Sequence, residues 1–309
     1  MHYTGTVWRP PYEADSLLLE ATAGCTHHRC RFCTLYQDIP FRMTPLRDLE
    51  ADLREAQLWA CDPVGRLSAR LQGLPEPEKI RRVFLVGANP FVLRPERLEA
   101  IGELVGRYLP SCRTIGCFAR VTDISAKTDG ELSRLGQLGY DGLTIGVETG
   151  DGEALAFMDK GYGPEDILLQ SRRLDEAGIS YSYFYLAGIS GAGRGRTGAL
   201  ASAGIFNQAH PRRIGASMLT VFPESRLYRD IQEGRWREPG ELEKLEELAV
   251  LISHLHIPVW FAALGASNAV RLQGNLPEDR EALLAVLASA AAPENEVSLR
   301  AYRESLPHL

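Results

Sequence analysis

Apolar positions along the chain alternate between two periods. Short runs with the density of buried strands are "SLLLEATA" (16–23), "RRVFLVGA" (81–88), "RTIGCFARV" (113–121), "YDGLTIGV" (140–147), "ISYSYFYLAG" (179–188) and "RIGASMLTVF" (213–222). Between them, apolar residues recur at helical spacing over 45–60, 94–109, 129–139, 164–178, 196–209 and 240–255. Pro164 stands where a first helical turn tolerates it. Strict alternation of this kind predicts an α/β fold in which parallel strands are joined by right-handed helical crossovers. Six pairs suit either an open doubly wound sheet or a partial (β/α)6 TIM-like barrel, and a closed barrel needs two more units. In both architectures ligands collect at the C-terminal ends of the strands.

The division expected is a barrel over residues 1–255 and a short C-terminal extension over 256–309, beginning "HIPVWFAALGASN" and carrying a helix near 277–290. Hydrophobic residues make up 45% of the chain and charged residues 24%, which is ordinary for a globular protein. The first residues lack the apolar core of a secretory signal, and "ALLAVLASAAA" is too short to cross a bilayer. A cytoplasmic protein with no membrane partner is the expectation. The net charge of -6 argues against a large polyanionic partner such as a nucleic acid. The glycine-rich stretch "GISGAGRGRTG" (188–198) lacks the lysine and spacing of a phosphate-binding loop.

Chemistry concentrates in "GCTHHRCRFCTLYQD" (24–38), just after the first strand. Cys25, Cys30 and Cys33 have the spacing C-x4-C-x2-C, while Cys61, Cys112 and Cys117 are scattered. Three thiolates serve three irons of a [4Fe–4S] cluster and leave the fourth iron open. An open position suits a reaction, whereas a closed site suits structure. Two other readings stand beside it. One is a structural Cys3His zinc site using His27 or His28. The other is a plain electron carrier whose fourth thiolate comes from Cys61, Cys112 or Cys117.

The loop resembles that of the radical S-adenosylmethionine (radical SAM) superfamily, whose usual spacing is C-x3-C-x2-C with an aromatic before the last cysteine. Phe32 supplies that aromatic, and the extra residue after Cys25 is a departure. "VGANP" takes the place of the family's Gly-Gly-Glu, so Gly87, Ala88 and Asn89 stand there and the carboxylate is missing. "IGVETGDGEALAFMDKG" (145–161) is similar to the family's G-x-E-[ST]-G…K-G signature. "YLAGISG" resembles its glycine-rich adenine wall, and "TVFPES" ends the sixth strand. The likeness runs over roughly residues 16–250. The tail "ASNAVRLQGNLPEDRE" resembles the end of one radical SAM group.

The resemblance implies bound S-adenosylmethionine (SAM) as well as the cluster. It implies reductive cleavage of SAM to a 5′-deoxyadenosyl radical, and hydrogen abstraction from a small-molecule substrate. An external one-electron donor of flavodoxin or ferredoxin type is implied too. By the same analogy Glu148 bonds the SAM ribose or amine, and Lys160 the methionine carboxylate. Phe32, Tyr36, Gly87, Ala88, Asn89, Arg120 and Phe222 join them as cofactor contacts. Modification of RNA or a peptide by one barrel, or a non-catalytic zinc or iron–sulfur protein, are the alternatives.

Glu20 and Tyr185 are the candidates for contact with the reacting substrate. Glu20 interrupts an apolar strand, so it is either a working group or one half of a salt bridge to an arginine such as Arg120. Tyr181, Tyr183 and Tyr185 share one face of the fifth strand. They line a pocket if that face points into the barrel and belong to the core if it points at the helices.

Overall fold

A computed structural model describes residues 1–64, 67, 71 and 79–307. Its main sheet has strands β1 (Leu17–Glu20), β2 (Arg82–Val86), β3 (Thr114–Ala119), β4 (Leu143–Glu148), β5 (Tyr181–Ala187), β6 (Arg213–Met218), β7 (Val259–Ala263) and β8 (Leu272–Leu276). Each strand pairs with the next in chain order, and the sheet stays open between β1 and β8. β1 to β7 run parallel, and β8 returns antiparallel to β7. A doubly wound sheet reverses its strand order at a switch point, and this one does not. It is a partial TIM-like barrel. All six predicted strands are present, and two more from the C-terminal segment extend the same sheet.

Helices cover the outer face. They are α1 (Leu46–Cys61), α2 (Pro95–Tyr108), α3 (Val121–Ser125), α4 (Asp129–Gln137), α5 (Gly152–Phe157), α6 (Pro164–Glu176), α7 (Gly195–Phe206), α8 (Arg226–Gln232), α9 (Glu241–His254), α10 (Arg280–Ala290) and α11 (Glu296–Glu304). Alternate strand residues such as Leu19, Val83, Leu85, Ile115, Leu143, Ile145, Ile214 and Phe261 pack beneath them in one core. Cys117 is buried in that core, and the Cys112 thiol donates to the Thr114 carbonyl at the start of β3. Neither is a ligand for the loop at the opposite end of the strands. The side chain of Cys61 lies outside the described residues. No described helix is long and apolar enough to cross a membrane.

The barrel floor is filled by residues that the apolar periodicity does not reveal. The short turn Pro11–Glu13 places Tyr12 against Trp260, with ring centroids 6.4 Å apart, and the Arg213 guanidinium 5.0 Å from the Tyr12 ring. Arg82 donates to Glu13 at 2.7 Å, and Tyr12 shares a 2.9 Å hydrogen bond with Thr144.

At the other end, α11 is fastened by buried charge. Arg303 donates to Glu241 at 2.8 Å, to Thr220 Oγ1 at 2.9 Å and to the Ser267 carbonyl at 2.8 Å. Lys244 meets the same Glu241 at 3.0 Å and the Leu219 carbonyl at 3.0 Å. Removing one member leaves the others buried and under-paired. Arg303→Ala is therefore expected to lower unfolding free energy by about 3 kcal/mol, with Arg303→Lys intermediate. Urea denaturation followed by circular dichroism checks this, and an Ala variant within about 0.5 kcal/mol of wild type contradicts it.

Candidate functional site

β1 runs straight into the cysteine loop. The neck of that loop is closed by antiparallel pairing of Thr22–Ala23 with Arg42–Met43. Gly24 makes the neck possible. Its φ is +71°, and a Cβ there would lie 2.4 Å from the Ile39 carbonyl oxygen. The middle of the loop is bolted to its surroundings through Arg31. Its backbone N–H donates to Met158 O at 3.2 Å, its Nε to Phe157 O at 2.7 Å and its guanidinium to Asp230 at 2.9 Å. The Leu227 N–H closes on Arg31 O at 2.8 Å. The loop is thus pinned to the end of α5 and to α8.

Cys25, Cys30 and Cys33 are free, half-buried thiols. Burial pushes the Cys33 thiol up to about 12, and the neighbouring Cys30 and Cys25 add to the rise. Burial also raises Cys30, against the opposing pull of Lys160. Cys30 and Cys33 therefore hold their protons until cations displace them. Among the described residues no three His, Cys, Asp or Glu side chains converge as one metal ion demands. A [4Fe–4S] cluster makes no such demand, because each thiolate binds a different iron. His28 is exposed, and His27 spends Nε2 on the Asp159 carbonyl. These observations fit three cluster ligands better than a Cys3His zinc site.

Above the loop lies a buried ion pair. Glu148 ends β4 with φ +65°, where the β4–β5 register shifts. That turn aims its carboxylate at Lys160, with Oε1 2.9 Å from Nζ. A Cβ on Gly146 would lie 2.8 Å from that carboxylate oxygen, so glycine leaves room for it. Burial pulls the Lys160 ammonium down, but Glu148, Tyr162 and Cys30 outweigh it and the net shift is upward. The ammonium also faces two rings, 5.7 Å from the Phe32 centroid and 5.5 Å from Tyr162. Arg120 joins the group, bonding Lys160 O and Thr122 and lying 6.0 Å from the Tyr162 ring. Its buried Nε has no partner. Phe32, Arg120, Glu148 and Lys160, expected together, are brought together. Tyr162 was missed, although it follows directly after the Lys-Gly pair.

Gly87 at the end of β2 has φ +125°, and a Cβ there would sit 2.2 Å from Thr22 Oγ1. Gly87 lines a small pocket with Glu20, Thr22 and Tyr36, and Ala88 is half-buried next to it in sequence. Asn89 is fully buried. Its Nδ2 donates to Thr26 Oγ1 at 2.9 Å and to Asp123 at 3.1 Å, joining the segment after β2 to α3 and the cysteine loop. Asp123 was also missed; nothing local in its sequence marks it. Phe222 lies on the turn into α8, where its carbonyl accepts from Ser225.

Two expectations are corrected. Glu20 does not pair with Arg120. Its partner is Thr4, which donates from its backbone N–H at 3.0 Å and its hydroxyl at 2.7 Å. Tyr185 does not face the barrel interior. Its hydroxyl donates to Glu247 on α9, 2.5 Å away, and its ring packs edge-on to Phe206 of α7. Tyr183 likewise meets Ser171 of α6. Period two fixes that the tyrosines share a face, and the helices claim that face.

Burial pushes the Glu247 carboxyl up to about 7, against the bonds from Tyr185 and the Gly188 N–H. An acid with a raised folded value holds its proton longer when folded than when unfolded. Its contribution to stability falls as pH rises from the ordinary carboxyl value to about 7. Glu247→Gln removes that loss. Relative to wild type it should gain up to about 3 kcal/mol between pH 5 and pH 8 in urea unfolding. A gap that does not change with pH contradicts the assignment.

The family model described as the radical SAM superfamily matches residues 19–192, more than half of the chain. Solved structures of similar fold include the radical S-adenosylmethionine methyltransferase TsrM from Kitasatospora setae, with cobalamin and a [4Fe–4S] cluster bound. It is 18% identical, with TM-score 0.53, covering 71% of this chain and 39% of that one. Coproporphyrinogen III oxidase (HemN) from Escherichia coli, described as a radical SAM enzyme, is 15% identical, with TM-score 0.53, covering 78% and 52%. Methylornithine synthase (PylB) is 16% identical, with TM-score 0.52, covering 88% and 68%. The chain thus spans well under two thirds of the first two. No curated protein sequence matches.

Proposed function

The chain belongs to the radical SAM superfamily, and we propose that it abstracts hydrogen from a small molecule held in the mouth of its partial barrel. It is an enzyme whose cofactors are a [4Fe–4S] cluster and SAM. When bound and reduced, they supply a 5′-deoxyadenosyl radical by reductive cleavage of the SAM sulfonium. The chain's own residues bind, orient and shield.

Cys25, Cys30 and Cys33 are the proposed ligands to three irons. Lys160 offers a fixed positive charge to the methionine carboxylate, with Glu148 holding that charge in place and facing the ribose or amine. Arg120 and Phe32 flank the same position. The backbone at Gly87 and Ala88, with Asn89 held by Asp123, Tyr36 and Phe222, completes the proposed SAM contacts. Below, the inner faces of β2 and β3 carry Phe84 and Phe118, edge to face at 5.2 Å, above the floor closed by Tyr12 and Trp260. Such a lining keeps water from a reactive radical. The observation that carries the reading is the buried Glu148–Lys160 pair, set against Phe32 of the cysteine loop. The half-buried thiols leave the cluster loop within reach of an external one-electron donor of flavodoxin or ferredoxin type. A reducing cytoplasm suits both donor and thiols.

Anaerobic reconstitution with iron and sulfide, followed by SAM and a strong reductant, should yield 5′-deoxyadenosine by chromatography. Cys25→Ala, Cys30→Ala and Cys33→Ala should each abolish it. A colourless protein that carries one zinc and ignores SAM sinks the proposal. Lys160→Met removes the proposed carboxylate contact, and charge-assisted bonds are worth roughly 1.5–3 kcal/mol. SAM affinity is expected to fall about tenfold to a hundredfold in equilibrium dialysis. Unaltered affinity would remove Lys160 from the SAM site.

A further inference from the structure

We propose that the inner face of β6, around Gly215, is the subsite that receives an aromatic ring of the substrate. This deepens the reading above and rests on it for the substrate's presence inside the barrel. β6 pairs with β5 on one side and β7 on the other, so no sheet edge exposes it. Its helix-facing residues Ile214, Ala216 and Met218 are buried, yet Arg213, Gly215 and Ser217 on the opposite face all stay partly exposed. The inward neighbours Phe184 of β5 and Trp260 of β7 stay partly exposed as well. The barrel therefore keeps open space against this strand.

Glycine inside a strand costs backbone entropy and packs nothing, so it needs a reason. Two other inward glycines have one. A Cβ on Gly116 would lie 2.2 Å from Arg82 Nη2, and one on Gly146 would lie 2.8 Å from Glu148 Oε1. Gly215 has no such neighbour, and its φ lies outside the left-handed region. Among the described residues a Cβ there would meet only the Tyr183 carbonyl oxygen at 3.9 Å and Phe184 Cδ2 at 4.0 Å, both ordinary contacts. The fold has room for a side chain, and a ligand takes that room. The register sets Phe184 and Ala262 directly beside Gly215, and Trp260 level with Arg213, two residues deeper. The charges on the inner faces of β2, β4 and β6 are already engaged: Arg82 by Glu13, Glu148 by Lys160 and Arg213 by the Tyr12 ring. A slot with Phe184 as its wall, Trp260 beneath and bare backbone between fits an uncharged ring that meets phenylalanine edge to face.

The test uses the full chain with its cluster reconstituted anaerobically and left unreduced. The probes are phenol and its saturated analogue cyclohexanol, each titrated by saturation-transfer NMR. Wild type should bind phenol roughly threefold to tenfold more tightly than cyclohexanol. Gly215→Ala should weaken phenol roughly threefold to tenfold, and Gly215→Val should erase its binding. The urea midpoint of the Ala variant should nevertheless equal or exceed that of wild type, because the backbone there accepts a Cβ. Equal binding of the two probes by wild type overturns the subsite, as does a Gly215→Ala protein that binds phenol unchanged. A lowered urea midpoint for Gly215→Ala also overturns it, because the fold itself would then need the glycine. So does displacement of phenol by SAM, because the adenine ring would then lie here. If Gly215→Val does not fold, the Gly215→Ala titration and the SAM competition decide. None of these readouts needs SAM cleavage. A chain that binds phenol in this way and forms no 5′-deoxyadenosine contradicts the proposed reaction and leaves the subsite standing.

Discussion

Charge buried at the C-terminal ends of the strands has to be neutralised where it lies, and the way it is neutralised sets the shape of the mouth. A lone carboxylate or ammonium in that setting costs several kcal/mol, so each one recruits a partner. Lys160 meets Glu148 across the turn that follows β4. Arg31 of the cysteine loop meets Asp230 of α8, after β6. Arg303 of α11 meets Glu241 of α9 and also bonds the segments that follow β6 and β7. Together with Arg31's bonds to the Phe157 and Met158 carbonyls, these pairs draw the loops after β1, β4, β6 and β7 into one rim. The thiols owe their position to that rim as much as to their own spacing.

The N-terminal segment serves both ends of the barrel. Thr4 holds Glu20 at the mouth, and the Tyr3 hydroxyl covers the Leu18 carbonyl on the edge strand β1. Tyr12 and Glu13 then close the floor. An open sheet exposes edge groups and an interior, and a single irregular segment addresses both.

The strands and helices of the barrel were legible because buried parallel strands and amphipathic helices leave strong periodic signals. β7 and β8 were not counted. Gly274 and Asn275 interrupt the apolar pattern of β8, and Gly265, Ser267 and Asn268 between the two strands read as a turn in an extension. The N-terminal segment has no period at all. At the site, the cysteines and the Glu148–Lys160 pair were legible through motifs, since twelve residues of separation say nothing about contact until the turn at Glu148 is known. Tyr185 was misplaced because alternation groups residues on a face without saying which face the helices cover. Lys244, Glu247 and Arg303 were invisible because a buried charge on a helix has the sequence of an exposed one. Only its partners, far away in the chain, distinguish the two.

The central claim is that the loop holds a cluster with one iron left open to SAM. Electron paramagnetic resonance of the anaerobically reconstituted, reduced protein tests it most directly, together with iron and sulfide analysis. The account predicts about four irons and four sulfides per chain, and a reduced-cluster signal whose g values shift when SAM is added. A signal indifferent to SAM, or a chain holding one zinc and no sulfide, would contradict it.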